Sequence, residues 1–435
     1  MRVTVVGAGY VGLVAACGLA NSGHQVTRVE KDPARLSCLR EGKVPFREEG
    51  LDELLHKAVG MGRLSFAAEL TGAPPADITM VAVGTPSLPS GKVDLSQVQE
   101  VVAGVAAMVT EPVLLVMKST VPPGTGAKLQ ERFLSKARVP IRYVSNPEFL
   151  REGRAVYDWY HPDRIVIGAD DPTVVEQVKA LYADIEAPVI HMDVASAEMT
   201  KYAANAFLAT KISFINEIAH LCELVGADVL FVANAVGLDP RIGPHFLQAG
   251  LGYGGSCFPK DTSGLDFIAS MNGHQFNLLK AVIEVNQRQR LEAARKLAAA
   301  LGGLADKEIA VLGLAFKPGT GDVREAPAID IIRLLLDEGA RVRAYDPAAM
   351  EYARRVLPPD VTYTSTALQA LDDAHATVVA TEWPEFITLD WEAASHHMQP
   401  PRVVLDGRNC LPIEKLLACG LVYVGIGRRV QVREY

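Results

Sequence analysis

Cysteine is scarce in this 435-residue chain. The six present, Cys17, Cys38, Cys222, Cys257, Cys410 and Cys419, are scattered, with no CxxC pair and no zinc-like Cys/His spacing. The pattern fits a reducing cytoplasm. The ten histidines also lack metal-ligand spacing, so no metal is expected. No run of about 18 apolar residues occurs, and the apolar start MRVTVVGAGYVGL turns straight into glycines without a cleavage-site pattern, so neither a membrane span nor a targeting segment is predicted. Positive charge is not in excess: 43 Lys and Arg face 51 Asp and Glu, a net charge of -8, which argues against a broad electrostatic grip on nucleic acid. A small anionic ligand is still allowed, because it meets local donors rather than the global charge.

What remains is an ordinary globular composition, 49% hydrophobic and 22% charged, in a chain long enough for two or three domains. The first 190 residues alternate Val- and Ile-rich runs with helical patterns, the rhythm of a parallel sheet covered by helices. The predicted strands are VTVVGAG, QVTRVE, ITMVAVG, PVLLVMK, IRYVSN and RIVIGA. In such a sheet the carboxyl ends of the strands line the ligand crevice. From about Ala195 to Val225 the spacing predicts one long helix, with Met199, Tyr202, Ala206, Phe207, Phe214, Ile215, Ile218, Cys222 and Val225 on an apolar face; its length suits a bridge between domains or a subunit interface. Near Glu308 a second αβ series begins, through IAVLGLAFKPGTGD, IDIIRLLLDEG and ARVRAYDP, and ends in ATVVATE, RVVLDG and LVYVGI. The fold class is α/β: two Rossmann-like, doubly wound parallel-sheet domains joined by a long central helix and a helical dimerisation region, with domains at 1–194, 195–300 and 301–435.

Four constellations carry chemistry. Gly7-Ala-Gly9-Tyr-Val-Gly12 lies between a strand and a helix, with Glu30 at the end of the next strand. Gly7 permits a tight turn, Gly9 lets a pyrophosphate approach the backbone, Gly12 lets helix and strand pack, and Glu30 suits ribose hydroxyls and repels a 2'-phosphate. The pattern favours NAD over NADP, with FAD the residual alternative. The second constellation is Gly252-Tyr-Gly254-Gly255-Ser-Cys257-Phe-Pro-Lys260-Asp261. Glycines leave room for a ligand beside Cys257, and Lys260 would favour its thiolate, so Cys257 is the candidate nucleophile; Cys17 and Cys222 read as core. Third, Lys201 and Asn205 share a helix face, either as a solvated face or, in a crevice, as a pair of donors to an oxyanion. Fourth, in Asn146-Pro147-Glu148-Phe-Leu-Arg-Glu152 the spacing predicts a capped helix start with both acids on one face, serving acid/base chemistry or only the helix dipole.

These residues, with VGTP, KSTVPPGT, NPEFLREG, PDRIVIG, FLQAGLGYGGSCFPKD, GLAFKPGTGDVRE and LDGRN, resemble the nucleotide-sugar 6-dehydrogenases over nearly the whole chain. The resemblance implies a four-electron oxidation of a sugar C6 alcohol to a carboxylate with two NAD and one water, through an aldehyde, a thiohemiacetal and a thioester on Cys257. Ser256 and Phe258 flanking the cysteine favour UDP-glucose over GDP-mannose or UDP-N-acetylmannosamine. The family's catalytic roles fall on Cys257, Lys201, Asn205, Asp261, Glu148 and Thr120, with Glu152 in support. Its NAD contacts fall on Gly7, Gly9, Tyr10, Val11, Gly12, Glu30, Arg35, Thr85, Thr120, Glu152, Lys260 and Arg324. Its substrate contacts fall on Glu148, Phe149, Leu150, Lys201, Asn205, Arg241, Phe246, Leu247, Gly250, Tyr253, Gly254, Cys257, Phe316, Lys317 and Arg408. Arg241 implies a homodimer, since in the family it reaches the neighbouring subunit's site. Family members mostly carry Asp where Glu30 stands. A two-electron β-hydroxyacid dehydrogenase, which also joins a Rossmann domain to a long helix, is the rival from another mechanistic class; it needs neither Cys257 nor the third segment.

Overall fold

The computed structural model describes residues 1–7 and 9–429 and falls into two compact units, one of Met1–Ala204 with Ser263–Asn272, the other of Asn205–Thr262 with the chain from Gly273 onward. In the first unit β1 (Arg2–Val6), β2 (Gln25–Val29), β3 (Leu64–Ala67), β4 (Ile78–Val81), β5 (Val113–Met117), β6 (Ile141–Ser145), β7 (Ile165–Gly168) and β8 (Val189–Met192) form one sheet in the order β3-β2-β1-β4-β5-β6-β7-β8. The side chains alternate as a pleated strand requires: Val3 and Val5 enter the core under the helix Tyr10–Asn21, and Val6 enters the core on the opposite face. Helices on both faces make the sheet doubly wound.

Two details depart from the expected parallel sheet. β7 meets β6 antiparallel through Ser145 opposite Gly168, and β8 runs parallel to β7, so that edge is mixed. β3 and β8 were not among the predicted strands. β8 is only four residues long, Val-Ile-His-Met, and largely exposed; its apolar pair Val189–Ile190 is too short to mark a buried strand.

In the second unit β9 (Glu308–Leu312), β10 (Arg341–Tyr345), β11 (Thr362–Tyr363), β12 (Ala376–Val379), β13 (Val403–Asp406) and β14 (Val422–Gly425) form a parallel sheet in the order β11-β10-β9-β12-β13-β14. This is the dinucleotide-fold order 3-2-1-4-5-6, whose direction of progression reverses between β9 and β12. Ile309 and Val311 pack into one core and Ala310 and Leu312 into the other.

The long helix is present as Val194–Val225, 32 residues, or about 48 Å at the α-helical rise. Its residues to Ala204 group with the first unit and those from Asn205 with the second. The packing of its faces overturns the expected apolar stripe. Tyr202, Ala206, Ile215 and Cys222 are buried, but Phe207 is 66% and Val225 69% exposed, and Met199 and Phe214 are exposed as well. Glu198, Lys201, Asn205, Ser213 and Asn216 are buried in their place. A face that buries charge and amide while leaving phenyl rings outside is arranged for chemistry inward and for contact outward.

Candidate active site

In the first unit the strand order reverses between β1 and β4, the position where an open α/β sheet forms its crevice. Gly7 lies there at φ +144°, and a Cβ on it would come within 2.0 Å of the Ala82 carbonyl oxygen, so only glycine fits. Gly9 is the N-cap of the helix Tyr10–Asn21, has no side-chain cap, and a Cβ there would meet nothing within 4 Å. Free space in front of uncapped N–H groups is what a pyrophosphate needs. Glu30 directly follows β2, is 2% exposed, and takes the Asp32 N–H at 3.0 Å on one oxygen. Arg28 Nη2 lies 3.4 Å from the other. Turn, space and acid together fit NAD. Thr85 is buried, Thr120, Tyr10 and Val11 are half-buried, and Arg35 is exposed on the helix Pro33–Arg40.

The segment 146–154 is not helical. Asn146 is occupied otherwise: its Oδ1 accepts from Lys118 Nζ at 3.0 Å and Tyr182 Oη at 2.5 Å, and its Nδ2 donates to the Val166 carbonyl at 2.8 Å. A side chain spent on joining β6 to β7 cannot cap a helix, so the predicted helix and its shared acidic face do not form. The loop instead turns Glu148 inward. Its Oε2 accepts the Leu150 N–H at 2.6 Å, and its Oε1 lies 3.1 Å from Lys201 Nζ, with the two side chains 6% and 5% exposed. The Lys201 ammonium also faces the Phe149 ring, 5.4 Å from its centroid. The solvated-face alternative for Lys201 is thus overturned.

One turn before Lys201, Glu198 caps the helix Thr125–Arg132, which has no side-chain cap of its own. It accepts from Gly124 N at 2.7 Å, Gly126 N at 2.8 Å and Tyr143 Oη at 3.4 Å. This fixes the loop that follows Thr120. Burial pushes Glu198 up to about 7 from 4.5, against those hydrogen bonds. The folded chain therefore holds this proton more tightly than the unfolded chain, and Glu198's stabilising contribution, full below pH 4.5, is lost as pH rises through 7. Glu198→Gln, which cannot ionise, is expected to lose less stability than the wild type across that window in urea titrations; parallel pH profiles would count against this.

In the second unit the cysteine loop is bonded to the carboxyl edge of the β9–β14 sheet. Leu251 N donates to Gly407 O at 3.1 Å and Gly255 N to Arg324 O at 2.9 Å. Asn216 Oδ1 accepts from Gly250 N at 2.9 Å; Asn286 pairs with both backbone groups of Tyr253, at 2.7 and 3.0 Å. Arg290 Nη2 adds a bond to Tyr253 O at 3.3 Å. The glycines serve this docking: a Cβ on Gly254 would stand 2.3 Å from Glu325 O, and one on Gly255 2.8 Å from the Phe316 ring. Cys257 directly precedes the helix Phe258–Met271, the end at which free N–H groups favour an anion. It is half-buried, with Ser256 Oγ 3.6 Å from its sulfur. Burial disfavours the thiolate at four other cysteines: it raises Cys17 to about 12, and also raises Cys222, Cys410 and Cys419. Lys260 is ion-paired with Asp261, and Asp261, 1% exposed, accepts from Asn205 Nδ2 at 2.6 Å.

The second sheet has its own acid at the position of Glu30, Asp346 after β10, yet it offers nothing to a ribose. It accepts from the N–H groups of Leu314, Ala315, Ala348 and Ala349 and from Trp383 Nε1, all within 3.1 Å. A carboxylate saturated by the chain is a structural clamp, and this sheet is not a second dinucleotide site.

Family models for the UDP-glucose/GDP-mannose dehydrogenases match in three consecutive parts: the NAD binding domain at residues 1–186, the central domain at 195–288 and the UDP binding domain at 310–413. The chain belongs to the UDP-glucose/GDP-mannose dehydrogenase family. It is 45% identical over 435 residues to UDP-glucose 6-dehydrogenase YwqF of Bacillus subtilis (strain 168), covering 99% of each chain. It is 43% identical to a UDP-glucose 6-dehydrogenase of Rhizobium meliloti (strain 1021), covering 98% of this chain and 100% of the relative. Among solved structures, a UDP-glucose dehydrogenase from the archaeon Pyrobaculum islandicum superimposes with TM-score 0.93 at 42% identity, covering 98% of each chain.

In this family member the structure gathers the expected residues into groups. Glu148, Phe149 and Lys201 meet in the first unit; Asn205, Lys260 and Asp261 meet in the second. Phe246, Tyr253 and Phe258 form an aromatic cluster with ring centroids about 6 Å apart. Arg408 is spent on the backbone, donating to the carbonyls of Ala380 at 2.8 Å, Phe316 at 3.1 Å and Gly252 at 3.5 Å. Lys317 Nζ lies 5.2 Å from the Phe316 ring centroid, Leu247 and Gly250 are buried, and Leu150 and Glu152 half-buried. Arg324 and Arg241 point outward and pair with Asp322 and Asp239. Sequence reasoning missed Arg28, Glu198, Asn216 and Asn286. For Glu198 and Asn216 a signal existed: they stand three residues before Lys201 and eleven after Asn205, on the helix face that carries both.

Proposed function

We propose that the chain oxidises C6 of UDP-glucose to the carboxylate of UDP-glucuronate, with Cys257 as covalent nucleophile. The observation that carries this reading is the seating of the Cys257 loop on the carboxyl edge of the UDP-binding sheet, held there by Asn216, Asn286 and the Gly407 carbonyl. The printed names of the full-length relatives supply the sugar. The segments 1–194, 195–300 and 301–435 divide the work into cofactor binding, catalytic helix with cysteine loop, and UDP-sugar binding.

Bound NAD accepts the electron pair in each of two oxidations. The chain's own groups do the rest. Lys201 and Asn205 donate to the C6 oxygen as negative charge builds on it. The aldehyde of the first oxidation has no alkoxide to drive a second, so Cys257 Sγ adds to its carbon and restores one as a thiohemiacetal. Oxidation of that adduct leaves a thioester, which water cleaves with return of the thiolate. Asp261 and Thr120 orient that water, and Glu148, already bonded to Lys201, moves its proton. Incubating the protein with UDP-glucose and NAD should yield two NADH per UDP-glucuronate, and GDP-mannose should be turned over far more slowly. One NADH per sugar would restore the β-hydroxyacid dehydrogenase reading; a preference for another nucleotide sugar would keep the chemistry and replace the substrate.

We further propose a cytoplasmic homodimer. Among the described residues no helix is long and apolar enough to cross a membrane, and none of the six cysteines is in a disulfide. Phe207, Phe214, Leu221 and Leu224 are each more than half exposed along one side of the long helix, and Phe231 and Leu238 continue the apolar surface. A second copy of the same stripe is the occupant that buries it, and Arg241, 87% exposed, would exchange its pairing with Asp239 for the partner's site. Phe214→Glu is expected to shift the protein from dimer to monomer in light scattering; an unchanged mass would place the interface elsewhere.

A further inference from the structure

Arg28 is an unusual residue to find inside a sheet. It sits mid-strand in β2, is 0% exposed, and its Nε and Nη2 donate to the Gly7 carbonyl at 3.2 and 2.8 Å. Nη2 also reaches Glu30 Oε2 at 3.4 Å, and the remaining nitrogen, Nη1, is buried without a partner. Burial lowers this guanidinium to about 10 from 12.5, so it remains a cation at neutral pH. A buried ion pair with an orphaned donor contributes little to stability compared with apolar packing of the same volume. Its presence calls for another explanation, and its two partners supply one.

Gly7 is the first residue of the phosphate-binding turn, at a backbone angle only glycine adopts freely. Glu30 is the acid placed for the ribose hydroxyls. A glutamate has one more rotor than an aspartate, and each rotor frozen on binding costs affinity. In this structure the freezing is done beforehand: the Asp32 N–H holds one oxygen of Glu30 and Arg28 approaches the other. We propose that Arg28 is a positioning residue for NAD: a single buried guanidinium ties the carbonyl of the phosphate turn to the ribose-binding carboxylate and sets both before the cofactor arrives. The proposal rests on the NAD-binding assignment and not on the identity of the sugar.

The test uses full-length protein and four variants: Arg28→Met, Arg28→Lys, Glu30→Gln, and Arg28→Met with Glu30→Gln. The dissociation constant for NAD is read by calorimetry, and KM for NAD and for UDP-glucose by NADH formation. Arg28→Met should weaken NAD about tenfold in both readings, the loss typical of a charge-assisted hydrogen bond, with KM for UDP-glucose within about twofold of wild type. Arg28→Lys, able to reach one partner but not both, should fall between. Because Arg28 acts partly through Glu30, the double variant should bind NAD more tightly than the product of the single effects predicts. NAD binding by Arg28→Met within twofold of wild type, equal rises in both KM values, or strictly additive effects would each overturn the proposal. If Arg28→Met does not fold, an Arg28→Lys variant with wild-type NAD affinity overturns it equally. Calorimetry separates this outcome from a failure of the UDP-glucose reading, which would leave NAD binding intact and abolish only turnover.

Discussion

Cys257→Ala is expected to lower UDP-glucuronate formation by at least about a thousandfold, the scale on which enzymes lose rate when a covalent nucleophile is removed. The loss should be specific in kind. The first oxidation needs no sulfur, so enzyme in excess over substrate should still reduce some NAD while no acid appears. Wild type should give two NADH per acid under the same conditions, counted by absorbance against chromatographed product. The docking bonds of the loop run through the backbone of Gly250, Leu251, Tyr253 and Gly255, and none requires the Cys257 side chain. Thermal stability should therefore stay close to wild type. Undiminished acid production by Cys257→Ala would remove the thioester from the mechanism.

Lys201→Met should cost about a hundred- to a thousandfold in turnover, as expected when an oxyanion donor is lost from a water-poor site. It also removes the partner of a buried carboxylate, Glu148, which is 6% exposed. An unpaired buried charge costs roughly 3–5 kcal/mol or is neutralised by taking up a proton. The variant is thus expected to be less stable in urea as well as slower. Adding Glu148→Gln should restore much of the stability and none of the turnover, because the amide relieves the orphaned charge without replacing the ammonium. Recovery of turnover in the double variant would mean that Lys201 serves only as the counter-ion of Glu148.

Much of the architecture was legible because strand periodicity and glycine turns are local signals. The six predicted strands of the first unit, VTVVGAG and QVTRVE among them, all emerged as strands, and Glu30 and Gly7 stand where the dinucleotide pattern puts them. The elements that escaped lack local signals. β8 is exposed and its apolar pair is interrupted at His191; β11 is two residues long. The NPEFLREG segment failed for a different reason. Asn146 and Pro147 are good helix starters in isolation, but the Asn146 amide is claimed by Lys118, Tyr182 and Val166, all distant in sequence. The long helix shows the same limit: its length was readable from periodicity, whereas which face turned inward was not, because polar and apolar stripes both repeat at helical spacing. Cys257, Lys201, Asn205 and Asp261 could be singled out from residue type and spacing, but the pairings of Lys201 with Glu148 and of Asn205 with Asp261 depend on tertiary structure.

The outward phenyl rings of the long helix carry a practical consequence. On the proposed dimer, a protomer diluted below the dimer dissociation constant would show an adhesive flank to whatever surface is nearest. Such a protein should be lost to vessel walls and chromatography matrices at low concentration, brighten polarity-sensitive dyes as it is thinned, and keep its activity better in concentrated stocks than in working dilutions.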